Sequence, residues 1–386
     1  MNEHLTIHCP IQSSIETFSN ELEPLLLHLR SNVFVTQPIT FPRGTVLPDG
    51  RLDLCKQSLG IAGCQAVTSA LTENTTIVSL LMGTNGIGDN GAVSVAQLIE
   101  RNQHLEIIYL GCNAIAPPGV ATITQALTNN SSVTGLWLKR NHIGESGAHH
   151  IAQMLRHNRS IRTLDLVNTQ IGYEGLKAIL EVLISHNRTI ERLYLGGNQI
   201  CVKGALLLAT LLSVNPAIKS LLLNVNYIGD AGAVILADAL RDNQTLQELG
   251  IASNGVGCAG GITLIEAIQV HPALTHLDLG YSPSTIVLGA QSNCIGDVGA
   301  RAIANLLAQN QTLLQVNLRC NNITGHGKAY LVAGLQQNAR LQQLVLDGKQ
   351  DKQIVALLER NRILNANNQM SKPRDVELIR SVYRKI

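Results

Sequence analysis

An asparagine, or a residue in its place, follows a leucine-rich segment ten times along this chain, mostly at intervals of 28 or 29 residues. A fixed period of this length is typical of stacked supersecondary units, each of which packs only on its neighbours. The period therefore predicts a repeat protein and argues against a single closed core. The ten positions are Gln57, Asn85, Asn113, Asn141, Thr169, Asn198, Asn226, Asn254, Asn293 and Asn321.

Each repeat combines a strand pattern with a helix pattern. Leu136 and Leu138 alternate as inward residues of a strand do, and Asn141 follows where the chain must turn. An apolar stripe at helical spacing comes next. In this repeat the stripe consists of Ala148, Ile151, Ala152 and Leu155. The predicted fold class is therefore α/β, with eleven parallel strands that alternate with helices.

Two sets of asparagines repeat with this period. In the first set, the asparagine side-chain amide can hydrogen-bond to backbone groups that a buried turn leaves unpaired. We therefore predict a structural ladder, in which these asparagines stack from one repeat to the next. The second set ends the helices and predicts left-handed C-caps. The ladder residues are Asn85, Asn113, Asn141, Asn198, Asn226, Asn254, Asn293 and Asn321; the caps are Asn74, Asn102, Asn130, Asn158, Asn187, Asn215, Asn243, Asn310 and Asn338, with His271 as the one substitute.

The motif L-x-x-L-x-L-x-x-N-x-I-G-x-x-G-A, in repeats of 28 or 29 residues, resembles the ribonuclease-inhibitor class of leucine-rich repeats. The resemblance implies a right-handed α/β horseshoe, with a parallel sheet on its concave face and helices on its convex face. Members of the class include enzyme inhibitors, innate-immune sensors, activators of the GTPase Ran and bacterial effectors. The fold alone does not choose among these functions.

The repeats predict three segments: an N-terminal helical cap over 1–48, repeats over 49–348, and a truncated capping repeat with a C-terminal helix over 349–386. In the first segment, Ser13 and Glu16 form a capping box for a helix that continues to Glu23. Pro24 begins a second helix over 25–30. In the last segment, the sequence of residues 376–386 predicts a helix, which either caps the repeats or stays free for a partner.

Composition excludes several classes of protein. A net charge of +2 argues against nucleic-acid binding, for which a basic surface is expected. The sequence has no apolar run of 18 residues and no signal-peptide pattern at its start. The eight cysteines are scattered without a Cys-x-x-Cys pair and predict reduced thiols. These features predict a cytoplasmic protein, or one delivered into a host cell if it is an effector.

The predicted binding site lies on the concave face. The residue between the two leucines of each strand must point away from the core. The only tryptophan, Trp137, and two tyrosines fall at these positions. We expect Trp137→Ala to weaken partner binding and to change stability little, because the ring would contact solvent. The predicted partner-binding residues are Tyr109, Trp137, Lys139, Arg140, Arg162, Asp165, Arg192, Tyr194 and Leu222.

An insertion near 281–291 adds 11 residues to one repeat. Long loops in tight repeats are often functional, but this one could also fold back over the repeat. The histidines His149, His150, His157 and His186 are expected to be solvated, because a metal site needs three or four converging ligands. The sequence predicts no catalytic residues, no metal and no cofactor.

Two functions remain. The first is a non-enzymatic module, such as an inhibitor, scaffold or effector, that binds a folded protein on its concave face. The alternative is a GTPase-activating protein of the Ran-activator type, which uses an arginine on an edge loop. The insertion near 281–291 contains no arginine and the C-terminal segment is basic, so the first function is favoured.

Overall fold

The structure is a computed structural model that describes residues 20–349, 351–366 and 373–383. The described chain divides into two compact units. The N-terminal unit consists of 20–190 together with 373–383, and the C-terminal unit consists of 191–349 and 351–366. Residues 373–383, here called the tail segment, therefore belong with the first repeats although they end the described sequence.

The N-terminal unit alternates short strands and longer helices. Its elements in chain order are α1 (Glu23–Ser31), β1 (Ile39–Thr40), β2 (Thr45–Val46), β3 (Arg51–Asp53), α2 (Gly60–Leu71), β4 (Ser79–Leu81), α3 (Gly88–Arg101), β5 (Ile107–Tyr109), α4 (Pro117–Leu127), β6 (Gly135–Trp137), α5 (Gly144–His157), β7 (Thr163–Asp165) and α6 (Gly172–Ser185), followed by α13 (Arg374–Glu377) in the tail segment.

The C-terminal unit repeats the same alternation. Its elements are β8 (Arg192–Tyr194), α7 (Val202–Val214), β9 (Ser220–Leu222), α8 (Gly229–Asp242), β10 (Glu248–Gly250), α9 (Cys258–Ala267), β11 (His276–Asp278), α10 (Gly296–Gln309), β12 (Gln315–Asn317), α11 (Gly325–Gln337), β13 (Gln343–Val345) and α12 (Lys352–Leu364).

The repeat strands pair in parallel and in step. In the N-terminal unit, Leu136 of β6 pairs with Ile108 of β5 on one side and with Leu164 of β7 on the other. Strands β8 to β13 pair in the same way in the C-terminal unit. The α/β leucine-rich-repeat fold class is confirmed. The sequence did not predict β1 and β2, which form an antiparallel hairpin that continues onto β3.

Leucine packing explains why each repeat folds in this way. The middle residue of each repeat strand, such as Leu136 or Leu193, is buried against the helix of its repeat. The predicted helix stripe is also buried, from Ala148 to Leu155 in α5. Alanine at two of the four stripe positions leaves room for the helix to lie close to the strands. Each repeat buries its apolar side on its neighbours.

The ladder asparagines lie in buried turns and join consecutive repeats. Asn113 donates from Nδ2 to the carbonyl oxygens of Met82 (2.8 Å) and Leu110 (3.0 Å). Its own backbone N–H donates to Oδ1 of Asn141 at 2.9 Å. Each side chain thus satisfies backbone groups of two repeats, which an apolar side chain cannot do.

The helix-ending asparagines act differently from the prediction. Asn158 is extended (φ −64°, ψ 135°), so the expected left-handed conformation is wrong. Its Oδ1 accepts from the backbone N–H of Ser160 (2.9 Å) and Ile161 (2.9 Å), and its Nδ2 donates to Leu127 O of the preceding repeat (2.7 Å). The side chain, and not an unusual backbone angle, makes asparagine suitable at this position.

The two ends correct further predictions. The capping box at Ser13 and Glu16 lies outside the described residues, whereas the predicted second helix is present as α1. The C-terminal helix predicted over 376–386 is wrong in extent: α13 has four residues, and turns follow as far as 383. The three predicted segment boundaries are untested and remain predictions.

The cysteines largely match the prediction. Six of those in the described residues are free thiols. Burial raises the pKa of the Cys64 thiol to about 12, so this cysteine is a packing residue. Cys112 is disulfide-bonded, which makes the prediction of reduced thiols wrong at that position.

Candidate protein-binding face

The strand face opposite the helices, here called the helix-free face, is the candidate site. Each repeat strand has three residues, and its middle residue packs toward the helices. Side chains alternate along a strand, so the first and third residues belong to the helix-free face. The predicted positions Tyr109, Trp137, Asp165, Tyr194 and Leu222 are all third residues of their strands.

In the N-terminal unit this face is buried. Trp137 is only 1% exposed and Tyr109 3% exposed. The expectation that the Trp137 ring contacts solvent is therefore wrong. The tail segment covers the face: Leu378 lies in one buried cluster with Cys55, Leu81, Ile107, Tyr109 and Trp137, and Val78, Ile379 and Tyr383 pack against that cluster. The sequence identified the aromatic residues but not what they contact.

Two glycines provide the space for the aromatic rings. A Cβ at Gly135 would lie 2.4 Å from Cζ3 of Trp137, so the indole lies directly over this glycine of the same strand. A Cβ at Gly111 would lie 2.7 Å from the hydroxyl of Tyr109. Glycine two residues from an aromatic residue on the same strand face lets the ring lie flat on the strands. The rings thus form a shallow apolar surface that Leu378 contacts.

Polar contacts fix both ends of the tail segment. Ser381 Oγ donates to Oδ1 of Asp53 at 3.0 Å, and the Val382 N–H donates to Oδ2 of the same carboxylate at 2.6 Å. Asp53 is fully buried, so these bonds compensate for its lost hydration. At the other end, the Thr163 hydroxyl donates to the carboxylate of Asp375.

Two more contacts hold the middle and the end of the tail segment. Ser79 Oγ donates to the Leu378 carbonyl oxygen at 2.8 Å. The hydroxyl groups of Tyr383 and Thr45 are hydrogen-bonded at 2.7 Å. Ser79 lies on β4 and Thr45 on β2, so the tail segment crosses the strands instead of joining them as another strand.

In the C-terminal unit the corresponding face is more open. Tyr194 and Leu222 are partly exposed, and the first residues of β12 and β13, Gln315 and Gln343, are exposed. Glu191 accepts from Arg192 and from Lys219, both at 3.3 Å. Lys219, which immediately precedes β9, keeps 42% of its side chain exposed, so it still presents positive charge at the start of that strand.

A pocket of about 240 Å³ continues this open face across β10 to β13. Burial raises the pKa of the Asp278 carboxyl, and the nearby Glu248 adds to the increase. Hydrogen bonds from the Gly280 N–H and from Asn317 and Asn224 oppose it. The C-terminal unit thus has basic groups on β8 (Arg192) and immediately before β9 (Lys219), and acidic groups on β10 (Glu248) and β11 (Asp278). The pocket is lined by Glu248, Leu249, His276, Leu277, Asp278, Gln315, Val316, Asn317, Gln343 and Val345.

The remaining predicted residues lie in the N-terminal unit. Lys139 Nζ lies 5.6 Å from the centre of the Tyr109 ring, and Arg162 is exposed. Arg140 is partly exposed and follows the strand with a φ of 57°. Asp165 is buried and its Oδ1 accepts from the Val167 N–H at 3.0 Å. Their role in partner binding remains a prediction.

The insertion packs on its repeat at some residues and is exposed at others. Thr285 is buried and its hydroxyl donates to Ser253 Oγ at 2.6 Å, while the Tyr227 hydroxyl donates to the Leu288 carbonyl at 2.9 Å. Ile286 is 79% exposed. Thr285 and Leu288 thus fold back onto the repeat, whereas Ile286 between them does not, and a function for this loop remains a prediction.

The described part of the chain holds no cluster of three metal-ligating side chains, and its His149, His150, His157 and His186 are exposed. Within the same residues, none of the helices has the length and apolar character needed to cross a membrane. The GTPase-activator alternative is not favoured by any contact of the insertion.

One comparison with known proteins identifies repeats in this chain. A family described as "Leucine Rich repeat" matches residues 73–96, 101–123, 157–180, 186–209, 291–304 and 309–327. These six segments therefore match leucine-rich repeats, a motif that generally mediates protein–protein interaction. The ribonuclease-inhibitor class remains a prediction. No curated protein is similar enough to this sequence to count as a match.

Several solved structures are similar to this chain, and two of them are named here. One is described as leiomodin-1 actin-binding site 2, with 18% identity, a TM-score of 0.33, and coverage of 49% of this chain and 90% of that one. The other is the tropomodulin C-terminal domain from Caenorhabditis elegans, with 12% identity, a TM-score of 0.32, and coverage of 50% and 96%. Similarity at this level carries no conclusion about this chain's partner.

Proposed function

We propose that this protein is a non-enzymatic interaction module that binds a folded protein through the helix-free face of its C-terminal unit. The observation that carries the proposal is the difference in exposure between the two units. The third residues of the strands are buried from β3 to β7, whereas Tyr194 of β8 and Leu222 of β9 are partly exposed. Within the described residues, the second group is therefore the one that offers side chains to a partner.

The chemistry of the open face suits a protein surface. An aromatic and an aliphatic side chain, Tyr194 and Leu222, lie beside Arg192 and Lys219, which is the composition of binding hot spots. The acidic pocket around Asp278 fits a basic side chain of the partner. A partner cation there would also favour the ionised form of Asp278, which burial disfavours in the free protein. We expect a partner with an acidic surface beside a basic one.

The test compares two leucines of the same unit. Leu222 lies on the open face, whereas Leu206 lies on α7 and is 58% exposed on the helix side. Partners captured by the wild-type chain are identified, and their affinities for Leu222→Arg and Leu206→Arg are measured. We expect Leu222→Arg to weaken binding at least about tenfold, and Leu206→Arg to leave it unchanged. The reverse result would place the partner on the helices.

A further inference from the structure

Most residues of the tail segment contact the N-terminal unit, but their side chains differ in exposure. Asp375 and Leu378 are buried, whereas Val382 is 55% exposed and Arg374 keeps 68% of its side chain exposed. Five of the contacting side chains are spaced as an acid, an aliphatic pair three and four residues later, a serine, and a tyrosine two residues after that. These are Asp375, Leu378, Ile379, Ser381 and Tyr383.

The strands beneath do not depend on the tail segment for their backbone pairing. Strands β3 to β7 hydrogen-bond to one another in register, and the ladder asparagines connect their turns. The tail segment contributes no strand to this sheet. Its removal therefore leaves the backbone pairing intact and exposes an apolar surface beside a carboxylate.

That surface has the properties of a peptide receptor. The Trp137 and Tyr109 rings form the apolar floor on which Leu378 lies. Asp53 accepts one backbone N–H and one hydroxyl from the bound segment, so it recognises a main-chain donor together with a small hydroxyl side chain. The apolar rings and the Asp53 carboxylate together suit a short linear segment and not a folded surface.

We propose that this face is a binding site for a linear protein segment with the chemistry of the tail segment, and that the tail segment occupies it in cis. The incoming segment carries a carboxylate, an adjacent aliphatic pair three residues later, a serine and an aromatic hydroxyl. Such a segment of a partner protein competes with the tail segment for Trp137, Asp53 and Thr163. This surface is distinct from the open face of the C-terminal unit.

Because the tail segment belongs to the same chain as its binding site, a free peptide needs a high concentration to displace it. A ligand attached to its receptor has an effective concentration in the millimolar range. A free peptide therefore displaces the wild-type tail segment only at very high concentration. When the tail segment is released by mutation, the same peptide binds at concentrations lower by a factor on the order of 10² or more.

The experiment uses the full chain and its only tryptophan. Leu378→Asp places a charge in the apolar cluster and should release the tail segment, which exposes Trp137 and shifts its emission to longer wavelength. Ser381→Glu tests release from the other end, because it places a carboxylate against Asp53. Val382→Asn is the control, since this exposed side chain lies outside the cluster and the substitution adds no charge and keeps the backbone N–H that donates to Asp53. The probe is a labelled synthetic peptide with the sequence of 373–383.

The expected result has three parts. Leu378→Asp and Ser381→Glu show the red-shifted emission with unchanged circular dichroism, they bind the labelled peptide, and binding restores the wild-type emission. A peptide with aspartate at the position of Leu378 does not bind, and Val382→Asn behaves as wild type.

Several results would overturn the proposal. If emission is unchanged in both release variants, the tail segment does not cover Trp137 in solution. If helicity is lost in both, the segment is a structural cap. If the released face does not bind the peptide, or if the variants and the wild type exchange tail segments as dimers, the face does not serve a separate partner. Leu222→Arg should leave peptide binding unchanged, so failure here is distinguishable from failure of the proposed function.

Discussion

The indole of Trp137 lies over Gly135, so close that an added Cβ would be 2.4 Å from ring atom Cζ3. A second close contact, at 3.0 Å, would be with Ile107. Neither neighbour can move freely, because both lie in the cluster under Leu378. The absence of a side chain at Gly135 therefore determines where Trp137 lies and what the tail segment contacts.

Gly135→Ala should push the Trp137 ring away from the strands and weaken the docking of the tail segment. We expect a red shift of tryptophan emission and a lower thermal midpoint. Gly325→Ala is the control, because a Cβ at Gly325 would have no neighbour within 4 Å. Fluorescence spectra and thermal melts of the two variants decide the matter. If the two variants had the same emission spectrum, the Trp137 ring would tolerate the added Cβ at Gly135 without changing its surroundings.

Trp137→Ala should destabilise the protein by about 3 kcal/mol, the usual cost of removing a large buried aromatic side chain. This reverses the expectation from sequence, because the ring is buried under the tail segment. Denaturant unfolding gives the change in free energy. Tyr173→Ala removes an exposed aromatic residue of α6 and should cost much less. A loss for Trp137→Ala no larger than for Tyr173→Ala would contradict the buried location.

Asn141→Ala should reduce the free energy of unfolding by roughly 1–3 kcal/mol. The substitution leaves the carbonyl groups of Leu110 and Leu138 and the Asn113 N–H without their partners. Asn90→Ala, at an exposed position of α3, is the control and should have a small effect. The measurement is urea denaturation at equilibrium. If both variants unfold at the wild-type midpoint, water replaces the ladder side chain at no cost.

His271 should make stability depend on pH. It stands where other repeats have asparagine, and its Nδ1 accepts from the Leu274 N–H at 3.1 Å. Among the described residues, its Nε2 is one of the few buried polar side-chain atoms without a hydrogen bond. Burial lowers the pKa of His271 below its usual 6.5, so the unfolded chain binds a proton more readily than the folded chain. The free energy of unfolding should therefore fall as the pH decreases from 6.5 toward the folded-state pKa, and this group should have no effect above 6.5.

His271→Asn should remove that part of the pH dependence and raise stability, because asparagine can use both polar atoms as Asn310 does. His150→Asn, at an exposed position of α5, should retain the pH dependence. Thermal midpoints measured from pH 7 to pH 5 compare the three proteins. An unchanged slope in His271→Asn would assign the acid sensitivity to another group.

The sequence by itself determined the repeat architecture. Each repeat carries its own strand leucines, its own helix stripe and its own turn asparagine, so Leu136, Ile151 and Asn141 could be assigned from local spacing. Neighbouring repeats are related by the same period, which makes their contacts predictable as well. The sequence also identified Tyr109 and Trp137 as residues of the strand face opposite the helices.

Only the tertiary structure decided whether that face is free. The tail segment reaches Asp53, Trp137 and Thr163 across separations in sequence that no repeat period encodes. The spacing of Asp375, Leu378 and Ser381 does not by itself predict their contacts, because those contacts depend on the positions of the strands beneath the tail segment. A glycine two residues from an aromatic residue, as at Gly135 and Gly111, was the one local signal that the rings lie flat. What lies on those rings depends on the free energy of a long-range contact, which local sequence patterns do not contain.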